Sequence, residues 1–290
     1  MKITIFTPTY NRSSELLRVY ESLKRQTNLN FEWLIIDDGS TDDTSSVIQN
    51  LINDEVSFPI RYFKKENGGK YTAHNYAVSK AAYDLFVCLD SDDYLVDDAV
   101  DIILKCSSER LKEENIGIIA LKKDIKGTVL SSPFPKNVKQ CRKIDLDQIY
   151  KCKGEFTLIY KTNILKYSLY PIIENERFVG ENVIYDNLDK YGEMILLEDV
   201  ITVCEYLENG YTSNFNKLML NNPTGYKLYY KQRIDLAISL KERINYIIRY
   251  HAFSNLSNSK KFKYDGSNKI LVFLMKPVGF LAYLYYKYKL

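Results

Sequence analysis

An α/β fold with a mostly parallel sheet is predicted by three features of the first hundred residues. Short apolar runs rich in strand formers alternate with stretches of helical periodicity. One of those runs, Phe31–Ile36, is apolar without alternation, as strands covered on both faces are. Four strand-like runs end in polar, turn-prone segments: Pro8–Arg12, Asp37–Asp42, Asn67–Lys70 and Asp90–Asp93. Ligands of open α/β sheets bind outside the carboxyl ends of the strands, so four such segments in phase predict one cleft.

Taken in order, Lys2–Thr7 reads as the first strand, stopped by Pro8 and the turn formers Tyr10-Asn11-Arg12. Ser13 or Ser14 then caps a helix over about Ser14–Gln26, with Leu16, Leu17, Tyr20 and Leu23 at helical spacing. Phe31–Ile36 is the second strand. Gly39 permits a sharp turn after it, and the Asp42–Thr44 region is suited to capping a helix over Thr44–Leu51. Ile60–Lys64 is the third strand, followed by Glu66-Asn67-Gly68-Gly69-Lys70 and a helix to about Ala82. The fourth, Asp84–Leu89, opens into Asp90-Ser91-Asp92-Asp93.

Beyond it, Asp97–Arg110 reads as a helix, Ile116–Leu121 as a strand and Lys126–Ile144 as irregular chain containing Pro133 and Pro135. Phe156–Lys161 is a strand, Thr162–Tyr167 and Val183–Lys190 are helical, and Ile195–Glu198 and Ile201–Tyr206 are two closing strands before a turn over 206–210. From about Tyr229 long helices take over, one of them Ile234–Tyr250 with isoleucines along a broad face. The expected division is therefore a domain over 1–226 and a helical C-terminal region over 227–290.

Charge supports that division. Residues 1–226 carry 27 basic and 34 acidic side chains, whereas 227–290 carry 13 basic against only Asp235, Glu242 and Asp265. A basic tail suits nucleic acid, an anionic membrane surface or an acidic partner, and no nucleic-acid reading element accompanies it here. The segment 270–290 is apolar and tyrosine-rich but interrupted by Lys276-Pro277, short of the roughly 18 uncharged residues of a spanning helix. It reads as an interfacial amphipathic helix at a membrane surface, or as a helix packed on the protein's own core or on a partner subunit. Five scattered cysteines and two histidines exclude a disulfide framework, a zinc site and a His-rich metal centre. With Met1-Lys2 running straight into a strand, the expected location is cytoplasmic, peripheral at the inner face of the cell membrane.

The chemistry lies in the strand ends. Three acids within four residues at Asp90–Asp93 repel one another unless a cation sits among them, and oxygen ligands so spaced suit Mg²⁺ or Mn²⁺; a solvated acidic turn is the plain alternative. Asp37 or Asp38 offers acceptors for a uracil-like base or ribose hydroxyls, or simply builds a capping turn. Asn67-Gly68-Gly69-Lys70 places flexible backbone beside a cation, fit for a diphosphate or a sugar. Together they describe a pocket for a nucleoside diphosphate bridged by a divalent cation.

The segments Thr7-Pro8-Thr9-Tyr10-Asn11-Arg12, Ile35-Ile36-Asp37-Asp38-Gly39-Ser40-Thr41-Asp42, Asn67-Gly68-Gly69 and Leu89-Asp90-Ser91-Asp92-Asp93 resemble family 2 glycosyltransferases of the GT-A fold, in the family's order and at family-like spacing. The resemblance is specific over 1–100, looser over 150–215 and absent beyond about 226. It implies inverting, metal-dependent transfer of one sugar from a nucleotide diphosphate sugar, a UDP-sugar first, to a hydroxyl of a glycan or lipid-linked glycan. Such hexosyltransferase-type chemistry belongs to cell-surface or capsular polysaccharide synthesis. Nucleotide-sugar contacts then fall on Pro8, Tyr10, Asp38, Asn67, Gly69, Lys70, Asp90 and Ser91, and the principal metal ligand on Asp92. The catalytic base falls on Glu181 in Phe178-Val179-Gly180-Glu181, with Glu174, Glu176 and Glu198-Asp199 as competitors.

Two departures accompany the resemblance. His74-Asn75 stands where many members carry an Arg before the Asn, leaving Lys70 as the substitute cation. The only tryptophan is Trp33, so the Gln-x-x-Arg-Trp motif of processive members is absent. Other readings of the same pocket are a nucleotidyltransferase acting on a sugar phosphate and a non-catalytic nucleotide-sugar-binding subunit.

Overall fold

The computed structural model describes residues 1–205, 215–257 and 259–289; the turn expected over 206–210 lies outside them. The chain divides into two compact units, Met1–Leu169 with Tyr185–Leu207, and Tyr170–Ile184 with Glu208–Leu290.

In order, the elements are β1 (Ile3–Thr9), α1 (Ser13–Lys24), β2 (Phe31–Asp37), α2 (Thr44–Asn53), β3 (Ile60–Lys64), α3 (Lys70–Lys80), β4 (Leu85–Cys88), β5 (Asp93–Leu95), α4 (Ala99–Arg110), β6 (Asn115–Asp124), β7 (Gln140–Cys141), α5 (Lys143–Gln148), β8 (Phe156–Lys161), α6 (Thr162–Leu165), α7 (Asn182–Leu188) and β9 (Glu193–Cys204). The helices α8 (Phe215–Asn221), α9 (Pro223–Leu236), α10 (Leu240–Leu256), α11 (Lys269–Leu274) and α12 (Lys276–Lys289) follow.

Among the described residues nine strands join one sheet in the order β3-β2-β1-β4-β8-β6-β9-β5, with β7 also on β9. β1 pairs in parallel with β2 and β4, β2 with β3, and β6 with β9, while β8, β5 and β7 run against their neighbours. Six strands thus share one direction, which is the mostly parallel α/β sheet that the sequence predicts. β1 and β2 are buried along their whole length. Leu16, Val19, Leu23, Ile48, Val100 and Ile103 of α1, α2 and α4 pack with Trp33 and Ile35 in one core, and Ala73 and Ala77 of α3 are also fully buried. Burying each large apolar side chain stabilises by about 1.5–3 kcal/mol.

One charge interrupts this apolar centre. Glu32, only 1% exposed within β2, accepts hydrogen bonds from Thr4 Oγ1 (2.6 Å) and Ala82 N (2.9 Å) and pairs with Arg61 (2.8 Å). A buried carboxylate survives only when its oxygens are satisfied in this way.

Several expectations need correction. β1 does not stop at Pro8 but runs through it to Thr9 in register with Ile36 and Asp37. The carbonyl of Thr9 points to β2 and that of Phe6 to the β4 side, so Pro8, of Phe6's parity, turns its missing N–H towards β4, whose paired register ends at Cys88. The cap of α1 is Arg12, whose N–H bonds Thr44 Oγ1 (3.2 Å), and Ser13 lies inside the helix. The two closing strands are one, β9, in which a bulge between the Ala120–Leu197 and Leu121–Val200 pairs leaves Glu198 and Asp199 exposed. The stretch 126–144, expected to be irregular, includes β7 and the start of α5.

In the second unit, the helix expected over Ile234–Tyr250 is broken between α9 and α10. Ser239 Oγ accepts Glu242 N (3.2 Å), a Ser-x-x-Glu start signal that begins a new helix there. Tyr226, Tyr230, Ile234, Ile247, Tyr250, Phe253 and Val272 form this unit's core. Glu176 accepts Thr224 N (2.7 Å) and Gly225 N (2.8 Å), setting a negative charge on the α9 amino end. Asn222 Oδ1 accepts Arg177 N and Phe178 N, both at 2.9 Å, which ties the 170–184 segment to these helices. Gly225 makes that approach possible, because a Cβ there would lie 2.8 Å from Phe178 O.

Candidate functional site

The carboxyl ends of β1, β2 and β4 and the segment joining β3 to α3 are hydrogen-bonded to one another. Asn11, in the left-handed region at φ 51°, donates its N–H to Ser40 Oγ (2.9 Å) and accepts Thr41 N on Oδ1 (2.8 Å). Asp37 is wholly buried and accepts Ser40 N (2.7 Å), Tyr62 OH (2.9 Å) and Ser45 Oγ (3.3 Å). Its carboxylate builds the turn. Gly39 follows at φ 88°, where a Cβ would stand 2.8 Å from Asn67 N, so the turn and the glycine segment approach as only glycine allows.

Asp38 is the link between them. It accepts Gly68 N (3.0 Å), Gly69 N (2.6 Å) and Lys65 Nζ (2.5 Å) and is 4% exposed. Lys65 also donates to Glu66 O (2.6 Å) and Thr72 Oγ1 (2.8 Å). The amides of Gly68 and Gly69 are thus drawn onto a carboxylate, and Gly69 at φ 91° starts α3 with Lys70 as its first residue.

The acid segment is held from several sides. Leu89 N bonds Phe6 O (2.8 Å), and Asp93 N closes a turn on Asp90 O (3.0 Å). Arg18 on α1 donates to Asp92 O (2.9 Å), lies 5.7 Å from the Tyr94 ring centroid and pairs with Glu205. Lys70 Nζ is 2.7 Å from Asp90 Oδ1 and 2.8 Å from Oδ2. Lys122 on β6 pairs with Asp93 (3.2 Å), which also accepts Cys204 Sγ (3.4 Å).

These neighbours divide the three acids. Burial works to raise Asp90, but the ammonium groups of Lys70 and Lys122 outweigh it and hold the carboxyl below the usual range. Burial and then the charge of Asp90 raise Asp92. Asp93 is pushed up to about 6, by burial and by the two other acids against the pull of Lys122. Asp92 therefore carries its charge at a cost that a nearby divalent cation would relieve. Among the described residues no group of three or more His, Cys, Asp or Glu side chains is arranged to hold a metal. Asp90 and Asp92 fit an ion that takes one or two carboxylates and completes its shell with phosphate and water, as Mg²⁺ does.

The remaining sequence-predicted residues fall as follows. Pro8 and Ser91 are buried, Asn67 is half-buried and Tyr10 is 44% exposed at the end of β1. Glu181 belongs to the other unit and is exposed directly before α7. Of its competitors, Glu176 is buried with both oxygens on backbone amides, while Glu174, Glu198 and Asp199 are exposed. His74 is a core residue, edge-on to Phe6 and Phe86 with ring centroids 5.9 and 5.4 Å away. Lys65, Arg18 and Lys122 escaped the sequence reading. A lysine two residues ahead of Asn67 was a visible hint for the first, but the partners of Arg18 and Lys122 are set only by tertiary pairing.

The sequence model of the family described as "Glycosyl transferase family 2" matches residues 4–109. The chain is 41% identical over 108 residues to an uncharacterized glycosyltransferase of Rickettsia felis, covering 37% of this chain and 17% of that protein. It is 28% identical over 194 residues to the GalNAc(5)-diNAcBac-PP-undecaprenol beta-1,3-glucosyltransferase of Campylobacter jejuni, covering 65% and 60%. The chain spans only 17–21% of the length of the Rickettsia proteins it matches. Among solved structures, S. aureus TarS 1-349 in complex with UDP-GlcNAc is similar at a TM-score of 0.61 and 16% identity, over 99% of this chain and 90% of that one. Residues 4–109, which contain all four strand-end segments, form a glycosyl transferase family 2 domain on a GT-A fold.

Proposed function

We propose that the chain is an inverting, metal-dependent glycosyltransferase. It moves one sugar from a nucleotide diphosphate sugar, with UDP-sugars as the first candidates, to a hydroxyl of a glycan or lipid-linked glycan in cell-surface polysaccharide synthesis. The observation that carries this reading is the linked set of strand ends, in which glycine amides, Lys70 and the Asp90–Asp92 acids stand at the carboxyl edge of one sheet. The UDP-GlcNAc complex of the structural neighbour supports the donor class, and the name of the Campylobacter relative supports the acceptor class.

In this reading Tyr10, Pro8 and Asp38 border the base and ribose, Asn67, Gly69 and Lys70 border the diphosphate, and Asp90 and Ser91 border the ribose and sugar. Asp92, with Asp90, holds Mg²⁺ or Mn²⁺, which when bound supplies Lewis-acid stabilisation of the departing diphosphate. The acceptor oxygen attacks the anomeric carbon as Glu181 takes its proton. The bond from that carbon to the phosphate oxygen breaks, and the diphosphate leaves with the electron pair. Glu176 is spent on the α9 amides, which favours Glu181 as the base.

Peripheral membrane contact through 270–290 is part of the proposal. Ile270, Phe273, Leu274, Leu281, Tyr285 and Tyr288 are between 54% and 78% exposed along α11 and α12, beside Lys269, Lys276 and Lys287. Aromatic and aliphatic side chains next to lysines suit an anionic headgroup layer. Among the described residues no helix is long and apolar enough to cross a membrane.

The test is a nucleotide-sugar panel with Mn²⁺ or Mg²⁺, read first as thermal stabilisation and then as transfer. A UDP-sugar should stand out, and Asp92→Ala should lose both its stabilisation and turnover. Normal donor turnover by Asp92→Ala would sink the metal assignment.

A further inference from the structure

Lys70 meets two demands that exclude each other. Its ammonium lies within 2.8 Å of both oxygens of Asp90, so it occupies the carboxylate that the proposed metal site needs. The backbone of Lys70 is fixed, because it follows Gly69, whose amide is held by Asp38 at 2.6 Å. Only the side chain reaches across to the β4 end. That contact is half-buried, with 28% of the Lys70 and 36% of the Asp90 side chain exposed, so an arriving cation can reach the pair from the solvent side. Lys122 differs: its side chain is 15% exposed and fixed on Asp93 at 3.2 Å, so it stays as a permanent counter-charge beneath the acids.

We infer that Lys70 is an exchangeable counter-ion of the donor cycle: it neutralises Asp90 in the donor-free enzyme, yields that carboxylate to the divalent cation, and turns to the diphosphate that arrives with it. This rests on the metal-dependent reading above and adds a consequence. Metal alone must displace an ammonium and then sit beside it, whereas metal with a nucleotide diphosphate gives the lysine a new partner. Nucleotide and metal thus favour each other by more than their direct ligation supplies, and such coupling is reciprocal.

Mn²⁺ binding to the full chain, measured by calorimetry and by the paramagnetic resonance of free Mn²⁺, tests this with and without UDP. Without UDP, Lys70→Met should bind Mn²⁺ on the order of tenfold more tightly than wild type, since a unit positive charge beside the ion is gone. Lys70→Arg, which keeps the charge, should match wild type, and Asp90→Asn should weaken binding in every background. With UDP, the factor by which nucleotide tightens Mn²⁺ should fall by about tenfold in Lys70→Met, because the diphosphate loses its lysine. Equal Mn²⁺ affinities of wild type and Lys70→Met without UDP overturn the exchange while leaving the metal reading intact. Absence of Mn²⁺ binding to wild type even with UDP, or binding indifferent to both Asp90→Asn and Asp92→Ala, overturns the metal reading and the exchange together.

Discussion

Replacing Asp38 by alanine removes the acceptor of three contacts at once: Gly68 N at 3.0 Å, Gly69 N at 2.6 Å and Lys65 Nζ at 2.5 Å. Hydrogen bonds to a charged group contribute roughly 1.5–3 kcal/mol each. Simple addition overstates the loss, because Lys65 keeps Glu66 O and Thr72 Oγ1, and the freed glycine amides can turn towards water. A net loss of about 2–4 kcal/mol is expected, a large part of a typical stability of about 5–15 kcal/mol. Asp38→Asn keeps one acceptor oxygen and should lose about half as much. The assay is urea unfolding followed by the fluorescence of Trp33, the only tryptophan, which is fully buried in β2 and donates to Thr7 Oγ1 at 2.9 Å. UDP binding to the folded variant should weaken as well, since the amides beside Lys70 lose their anchor. If Asp38→Ala unfolds within about 0.5 kcal/mol of wild type, Asp38 does not hold the glycine segment and the reasoning fails.

Two further outcomes follow from the same geometry. Burial, with some help from Asp186, pushes Asp189 up to about 6 although Lys143 N and Ile144 N donate to it at 2.9 Å. A folded-state value above the unfolded one means that this carboxyl contributes more stability as pH falls through 6 towards 4. The stability gap between wild type and Asp189→Asn should therefore move in favour of wild type by roughly 1 kcal/mol between pH 7 and pH 5, and a constant gap would refute it. The paired change Ile270→Glu with Leu281→Glu, at sites 78% and 66% exposed, should reduce co-sedimentation with phosphatidylglycerol vesicles by tenfold or more, at about 1–2 kcal/mol per side chain. Unchanged sedimentation would reject the membrane face.

What was legible in the sequence depended on the range of the forces involved. β3 and β8 occupy the spans expected of them, because each is a short run rich in strand formers bounded by residues that turn or start a helix. Pro8 misled because its harm depends on which neighbour its ring faces, and that neighbour had already ended. β9 read as two strands since the acids at its bulge resemble a turn, and the α9–α10 break went unread although Ser239 and Glu242 spell it. At the site, the clustering of Asp37, Asp38, the glycines and Asp90–Asp93 was visible in the spacing. The counter-charges Lys65, Arg18 and Lys122 were not, because each is paired across the fold with a residue 27 to 187 positions away.

Glu32 gives the placement of those acids a safeguard. Its oxygens are met by Thr4, Ala82 and Arg61 only in the observed alignment of β2 with its neighbours. A slip of β2 by one residue would turn the carboxylate onto the face where Phe31, Trp33 and Ile35 pack, leaving a buried charge unmet at several kcal/mol. The same slip would carry Asp38 about 3.3 Å from the glycine amides it holds. An acid near the amino end of the strand therefore fixes the alignment that places the acids at its carboxyl end.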